Sequence, residues 1–160
     1  MVALTVKPQL CTGCMACVYA CSVVHEDVFQ PKLARVRIDK DEALAYCVPV
    51  QCLTCEGTPC VDACPVAAIS MHPELHRPAV DAESCVGCGA CTEACPYKVI
   101  KLHESRGVAY VCDMCGGEPQ CARVCIPGAI SVTEGVQTDP AVSGRTERDK
   151  ALEEIGRRKQ

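Results

Sequence analysis

The sequence predicts an α+β fold in which short helices and two-stranded ribbons wrap four cysteine-rich loops. Three observations carry that prediction. Seventeen of the 160 residues are cysteine, far above ordinary usage. Sixteen of them fall into four motifs, each opening C-x2-C and closing C-x3-C. Between the motifs lie short β-branched runs, which read as strands rather than as long amphipathic helices.

In chain order, residues 3–6 form the first expected strand, and Cys11, Cys14, Cys17 and Cys21 make motif one. Residues 34–39 and 43–50 read as strands before motif two, Cys52, Cys55, Cys60 and Cys64. Residues 69–72 and 79–81 follow, then motif three, Cys85, Cys88, Cys91 and Cys95. Residues 99–103 and 108–111 lead into motif four, Cys112, Cys115, Cys121 and Cys125, and residues 130–133 close the series. Each C-x3-C pair spans about one helical turn. Pro65, Pro96 and Pro127 stop or redirect three of these turns, since proline cannot donate the next helical hydrogen bond. Motif one has Ser22 where a proline is expected. The last stretch differs. Residues 134–140 have turn character, and residues 143–160 read as a charged helix with Thr146 and Asp149 placed as a capping box. Its apolar residues are Ala151, Leu152 and Ile155. Such a helix is marginal alone, so a neighbouring chain is expected to hold it.

Disulfides, zinc and iron–sulfur clusters could each use many cysteines. The cysteine count is odd, and no secretory signal precedes Cys11, which argues against a disulfide framework. No apolar run approaches the roughly 20 residues of a membrane span. The expected location is therefore the cytoplasm, where cysteine clusters usually bind metal. Zinc sites commonly use two C-x2-C pairs per ion, which leaves the third, closely spaced cysteine of each motif unexplained. A [4Fe–4S] cubane explains it. The tight loop C-x2-C-x2-C wraps three iron corners, and the fourth cysteine, on the next helical turn, points to a different cluster. This is the spacing of the bacterial two-cluster ferredoxin run, and Cys85 to Pro96 matches it. Motifs two and four are widened by loops containing Pro59 and Pro119. Glycines inside the motifs, such as Gly13 and Gly87, let backbone approach inorganic sulfur.

Other chemistry is not visible in the sequence. It contains no C-x-x-C-H, no P-loop and no G-x-G-x-x-G. No nucleophile, general base or open metal site suggests catalysis, so a non-catalytic role is expected. His25, His72, His76 and His103 read as ordinary surface or turn histidines, Cys47 as a small buried apolar residue, and Glu26, Lys98 and Asp113 as solvated charges. The formal net charge is −4, and no basic patch interleaved with aromatics is present, which excludes a nucleic-acid partner. Four clusters with their thiolates would add about −8, so a partner should offer a neutral or basic face.

Four such motifs in one short chain resemble the four-cluster ferredoxin-like electron-transfer subunits of molybdenum and tungsten oxidoreductases. The run from Cys11 to Glu26 and the run from Cys112 to Cys121 look most like the small subunits of tungsten-dependent aldehyde oxidoreductases. Iron–sulfur subunits partnering carbon monoxide dehydrogenase or benzoyl-CoA reductase are also similar. The resemblance implies a duplicated, nested two-cluster ferredoxin fold. An outer unit of about residues 1–33 plus 105–133 would enclose an inner unit of about 34–104. Together they would form one domain over 1–133, with 134–160 as a tail docking on a partner or another copy. It further implies four [4Fe–4S] clusters. One takes Cys11, Cys14, Cys17 and Cys125, and its pair-mate takes Cys112, Cys115, Cys121 and Cys21. A third takes Cys52, Cys55, Cys60 and Cys95, and the fourth takes Cys85, Cys88, Cys91 and Cys64. The partner implied is a tungsten or molybdenum pterin subunit. A flavin or NAD subunit, or a ferredoxin, would be the other redox partner. A free-standing diffusible polyferredoxin is the alternative.

Overall fold

The computed structural model describes residues 2–43, 45–134 and 145–158. Among them, eight strands pair into four antiparallel ribbons. The first, β1 (Val2–Val6), pairs with the last, β8 (Ile130–Glu134), so the two ends of the cysteine-bearing region close on each other. The other ribbons are local hairpins. They join β2 (Arg37–Asp41) to β3 (Tyr46–Val50), β4 (Ile69–Met71) to β5 (Pro78–Val80), and β6 (Lys101–Leu102) to β7 (Ala109–Tyr110). All eight strands lie where β-branched runs predict them, with ends displaced by a few residues.

The helices α2 (Pro59–Asp62), α3 (Ala90–Ala94) and α4 (Gln120–Arg123) last about one turn each. The first helix, α1 (Ala16–Glu26), runs eleven residues. The difference follows from Ser22, which keeps the backbone N–H that proline would remove. Asp27 ends α1 in the left-handed conformation, φ 55° and ψ 23°, with its N–H bonded to the Val23 carbonyl. Asp is one of the few residues that adopts this conformation routinely.

Two cores result. α1 packs on α4, burying Leu4, Val18, Met114 and Ile130 with Cys17, Cys21 and Cys121. α2 packs on α3, where Val48, Val50, Ile69, Val99 and Ile100 surround Cys52, Cys60, Cys91 and Cys95. The cysteines are themselves core residues, which is how a chain with 3% aromatics fills its interior. Long-range bonds tie the chain together. Arg37 donates from Nη1 to the carbonyls of Tyr97 (2.8 Å) and Lys98 (3.0 Å). The Lys101 ammonium donates to the carbonyls of Ala34 (2.8 Å) and Lys32 (3.2 Å).

The tail helix packs on its own chain. Helix α5 (Arg145–Arg158) lies along β1, β2 and β3 of its own chain. Ala151 and Ile155, 2% and 4% exposed, enter the second core. The Tyr97 hydroxyl donates to Asp149 Oδ2 at 3.1 Å. The chain's own core covers Ala151 and Ile155, with Leu152 packed against it. Glu134, expected to open a turn, instead ends β8, while the rest of that expected turn, 135–140, and the Thr146 side chain of the expected capping box lie outside the described residues. No helix among the described residues is long and apolar enough to cross a membrane.

Candidate iron–sulfur sites

The fold gathers the sixteen motif cysteines into four tetrads. Three are seen as small cavities. Cys11, Cys14, Cys17 and Cys125 line one, Cys52, Cys55, Cys60 and Cys95 another, and Cys64, Cys85, Cys88 and Cys91 a third. The fourth group is Cys21, Cys112, Cys115 and Cys121, whose thiols act on one another electrostatically. Each tetrad takes three cysteines from one motif and the last cysteine of another. The exchange follows from helix pairing, because α1 against α4 and α2 against α3 place each fourth thiol, inside α1 or just past the end of a one-turn helix, over its neighbour's loop.

The loops depend on glycine at two places in particular. Gly87 has φ +67°, and a Cβ there would run into the carbonyl oxygen of Gly107. Gly13 has φ +70°, and a Cβ would lie 2.7 Å from Cys47 Sγ. Backbone N–H groups also turn toward the sulfurs. Arg35 donates to Cys21 Sγ at 3.2 Å, Ala68 to Cys64 at 3.2 Å, Ile130 to Cys125 at 3.4 Å and Ala109 to Cys85 at 3.4 Å.

Burial, reinforced by neighbouring thiols, raises the pKa of Cys17 and Cys60 to about 12. Burial likewise raises Cys21 and Cys52 to about 11, and lifts Cys121 further still. Four thiolates cannot share such a space unaided. A compact cationic centre with soft-ligand preference reverses this, and a tetrahedral S4 set suits iron–sulfur or zinc chemistry. The donor set therefore fits a cubane at every tetrad.

The tetrads also have an order. Cys17 and Cys125 share one core with Cys21 and Cys121, while Cys112 lies in the other core beside Cys52. Cys60 lies in the short helix α2, and Cys64 follows two residues past its end. The Cys11 tetrad thus leads to the Cys21 tetrad, then to the Cys52 tetrad, then to the Cys64 tetrad. Of seventeen cysteines, only Cys14 and Cys88 are exposed, and they belong to the two terminal tetrads.

Residues 51–99 match the 4Fe–4S dicluster domain family, and residues 8–24 match a 4Fe–4S binding domain. Among curated proteins, the aliphatic sulfonate oxidoreductase polyferredoxin-like subunit of Pyrococcus furiosus is 38% identical over 120 residues, covering 75% of this chain and 69% of that protein. The thiosulfate reductase electron transfer subunit PhsB of Salmonella typhi is 35% identical over 133 residues, with the same coverages of 75% and 69%. The chain belongs to the polyferredoxin-like 4Fe–4S electron-transfer subunits of oxidoreductases. Its fold is shared with a chain of the active site complex BamBC of benzoyl coenzyme A reductase, at 24% identity and TM-score 0.52, over 97% of this chain and 89% of the other.

In this polyferredoxin-like subunit, which is non-catalytic and binds multiple 4Fe–4S clusters, several residues depart from their expected roles. His25 and His103 are not surface histidines; both side chains are 10% exposed. His25 Nε2 lies 3.5 Å from Cys115 Sγ and 3.5 Å from Asp113 Oδ1. Burial, with the nearby Arg35 charge, pushes the His25 pKa down. Asp113 and Glu26 are not merely solvated. Arg35 Nη1 binds Asp113 Oδ2 at 2.6 Å, while Glu26 accepts from Arg106 at 2.6 Å and lies 3.3 Å from His103 Nε2. Lys98 is the exposed charge expected, paired with Glu93 at 3.1 Å. His72 sits in a turn as expected, its Nδ1 accepting from the backbone of Glu74 and Leu75. Cys47 is half-buried against Gly13, and its charge acts on Cys11. Arg77, unremarked in the sequence, is 1% exposed and donates from Nη1 to the Cys52 carbonyl. The missing proline after Cys21 was the available signal for His25 and Glu26, because only a longer α1 carries them to their partners.

Proposed function

We propose that this subunit relays single electrons along four [4Fe–4S] clusters to or from a catalytic tungsten or molybdenum pterin subunit acting on aldehydes. The ligands are Cys11, Cys14, Cys17 and Cys125; Cys21, Cys112, Cys115 and Cys121; Cys52, Cys55, Cys60 and Cys95; and Cys64, Cys85, Cys88 and Cys91. When bound, each cluster supplies a one-electron couple whose potential is set by hydrogen bonds, charge and exposure. The chain's residues hold the thiolates and direct backbone N–H groups at sulfur. The carrying observation is the linear order of tetrads with an exposed cysteine at each end. The fold is read as two nested two-cluster units, with the outer one formed by about 1–33 and 105–133 and the inner one by about 34–104. The pairing of β1 with β8 and of α1 with α4 supports this division. The proposed location is the cytoplasm.

A benzoyl-CoA reductase type of partner is the second reading, favoured by the likeness to the BamBC chain along 97% of this sequence. Elemental analysis of the complex purified anaerobically from its host tests the reading. Four cubanes require about 16 iron atoms per chain, with tungsten or molybdenum in the partner. Iron with no second protein would favour a diffusible polyferredoxin. Zinc in place of iron would overturn the cluster reading. Turnover of an aldehyde or of benzoyl-CoA separates the two partner classes.

A further inference from the structure

His25 stands at the last turn of α1, directly over the loop that carries Cys112 and Cys115. Two groups lie 3.5 Å from its Nε2, Cys115 Sγ and Asp113 Oδ1. Both are acceptors once Cys115 is a ligating thiolate and Asp113 a carboxylate. The hydrogen of the neutral ring is therefore assigned to Nε2, which makes His25 a shared donor to sulfur and carboxylate.

Asp113 is fixed on three sides. Its Oδ1 also accepts the Cys115 backbone N–H at 2.9 Å, and its Oδ2 is held by Arg35 at 2.6 Å. Arg35 reaches the same tetrad a second time, through its backbone N–H to Cys21 Sγ at 3.2 Å. The triad of Arg35, Asp113 and His25 thus grips two ligands of a single tetrad, Cys21 and Cys115. A hydrogen bond to a cluster sulfur stabilises the more negative, reduced state and raises the potential.

We propose that His25, oriented by Asp113 and Arg35, is a positioning residue that donates to Cys115 Sγ and raises the potential of the second cluster in the relay. The inference rests on the four-cluster reading and supplies something that reading lacks, a site where the electron pauses inside the wire. The second cluster becomes a local sink next to the exposed terminal cluster of Cys11, Cys14, Cys17 and Cys125.

The test is a potentiometric titration, followed by electron paramagnetic resonance, of the anaerobically purified complex and its variants. His25→Leu should lower one couple of four, its reduction constant falling about fivefold to tenfold, the effect of one ordinary hydrogen bond. Tenfold corresponds to about 59 mV for one electron. His25→Gln, which keeps an N–H donor, should recover part of the shift. Asp113→Asn removes a negative charge beside the cluster and should move the same couple upward whether or not His25 donates, so it serves as the charge control. Cys115→Ser marks which signal belongs to that cluster. Iron is counted on every sample. Wild-type protein without about 16 iron atoms per chain would overturn both the reading and the inference. Full iron with all four couples unmoved, or all four moved equally, would overturn the inference alone. Should His25→Leu fail to fold, His25→Met, which also lacks a donor, decides: it should lower the same couple, and an unmoved couple refutes the proposal.

Discussion

Replacing Gly87 with alanine is a sharp test of the site formed by Cys64, Cys85, Cys88 and Cys91, because Gly57 provides a matched control. Both glycines lie in cluster loops with similar left-handed backbone, φ +67° and φ +77°. An alanine in that conformation costs about 1–2 kcal/mol. At Gly57 nothing lies within 4 Å of the new Cβ, so the cost stops there. At Gly87 the Cβ lands on the Gly107 carbonyl oxygen. That oxygen belongs to backbone, held in the β6–β7 turn by the 2.8 Å bond from Gly107 N–H to the His103 carbonyl. The loop and the turn must separate, adding about 1–3 kcal/mol of overpacking. The separation also draws Ala109 N–H away from Cys85 Sγ, now 3.4 Å distant. A total of about 2–5 kcal/mol exceeds what one loop can absorb while keeping its cluster. Gly87→Ala should therefore hold about 12 iron atoms per chain instead of about 16, and lose one resonance signal. Gly57→Ala should keep all four clusters. Iron assay and electron paramagnetic resonance on the two purified variants read this directly. If both variants hold the same iron, the steric argument is wrong.

Other outcomes follow from the same geometry. Exchange of the fourth cysteines predicts which double variants are redundant. Cys125→Ser with Cys14→Ser should cost no more iron than either alone, whereas Cys125→Ser with Cys115→Ser should cost about twice as much, about 8 atoms per chain. Ile155→Ala empties a position 4% exposed in the second core, and should cost about 2–4 kcal/mol, seen as a lower temperature for loss of visible cluster absorbance. Lys101→Met leaves the Ala34 and Lys32 carbonyls without the donor now at 2.8 and 3.2 Å. It should destabilise by about 1–3 kcal/mol in a denaturant titration followed by the same absorbance.

What could be read in advance was local. Strands showed as short β-branched runs, and the one-turn helices showed because proline follows Cys64 and Cys95 directly and Cys125 at one remove. The absence of proline after Cys21 was visible too, yet its consequence was not. Three further residues of α1 are needed before His25 can face Cys115, ninety positions away, and Glu26 can face Arg106, eighty away. Nothing in local spacing encodes such partners, because they are chosen by how α1 crosses the far end of the chain. The packing of the C-terminal helix on its own chain is illegible for the same reason. The two buried residues among those described, Ala151 and Ile155, are too few to signal a core element by periodicity. Their burial depends on a surface built from Val48, Val50 and Tyr97, which the sequence brings together only after the cluster loops have closed. Ligand positions are legible because a cubane imposes its own short-range geometry on the chain. The residues that tune a cluster answer to packing at long range and become visible only once that packing is known.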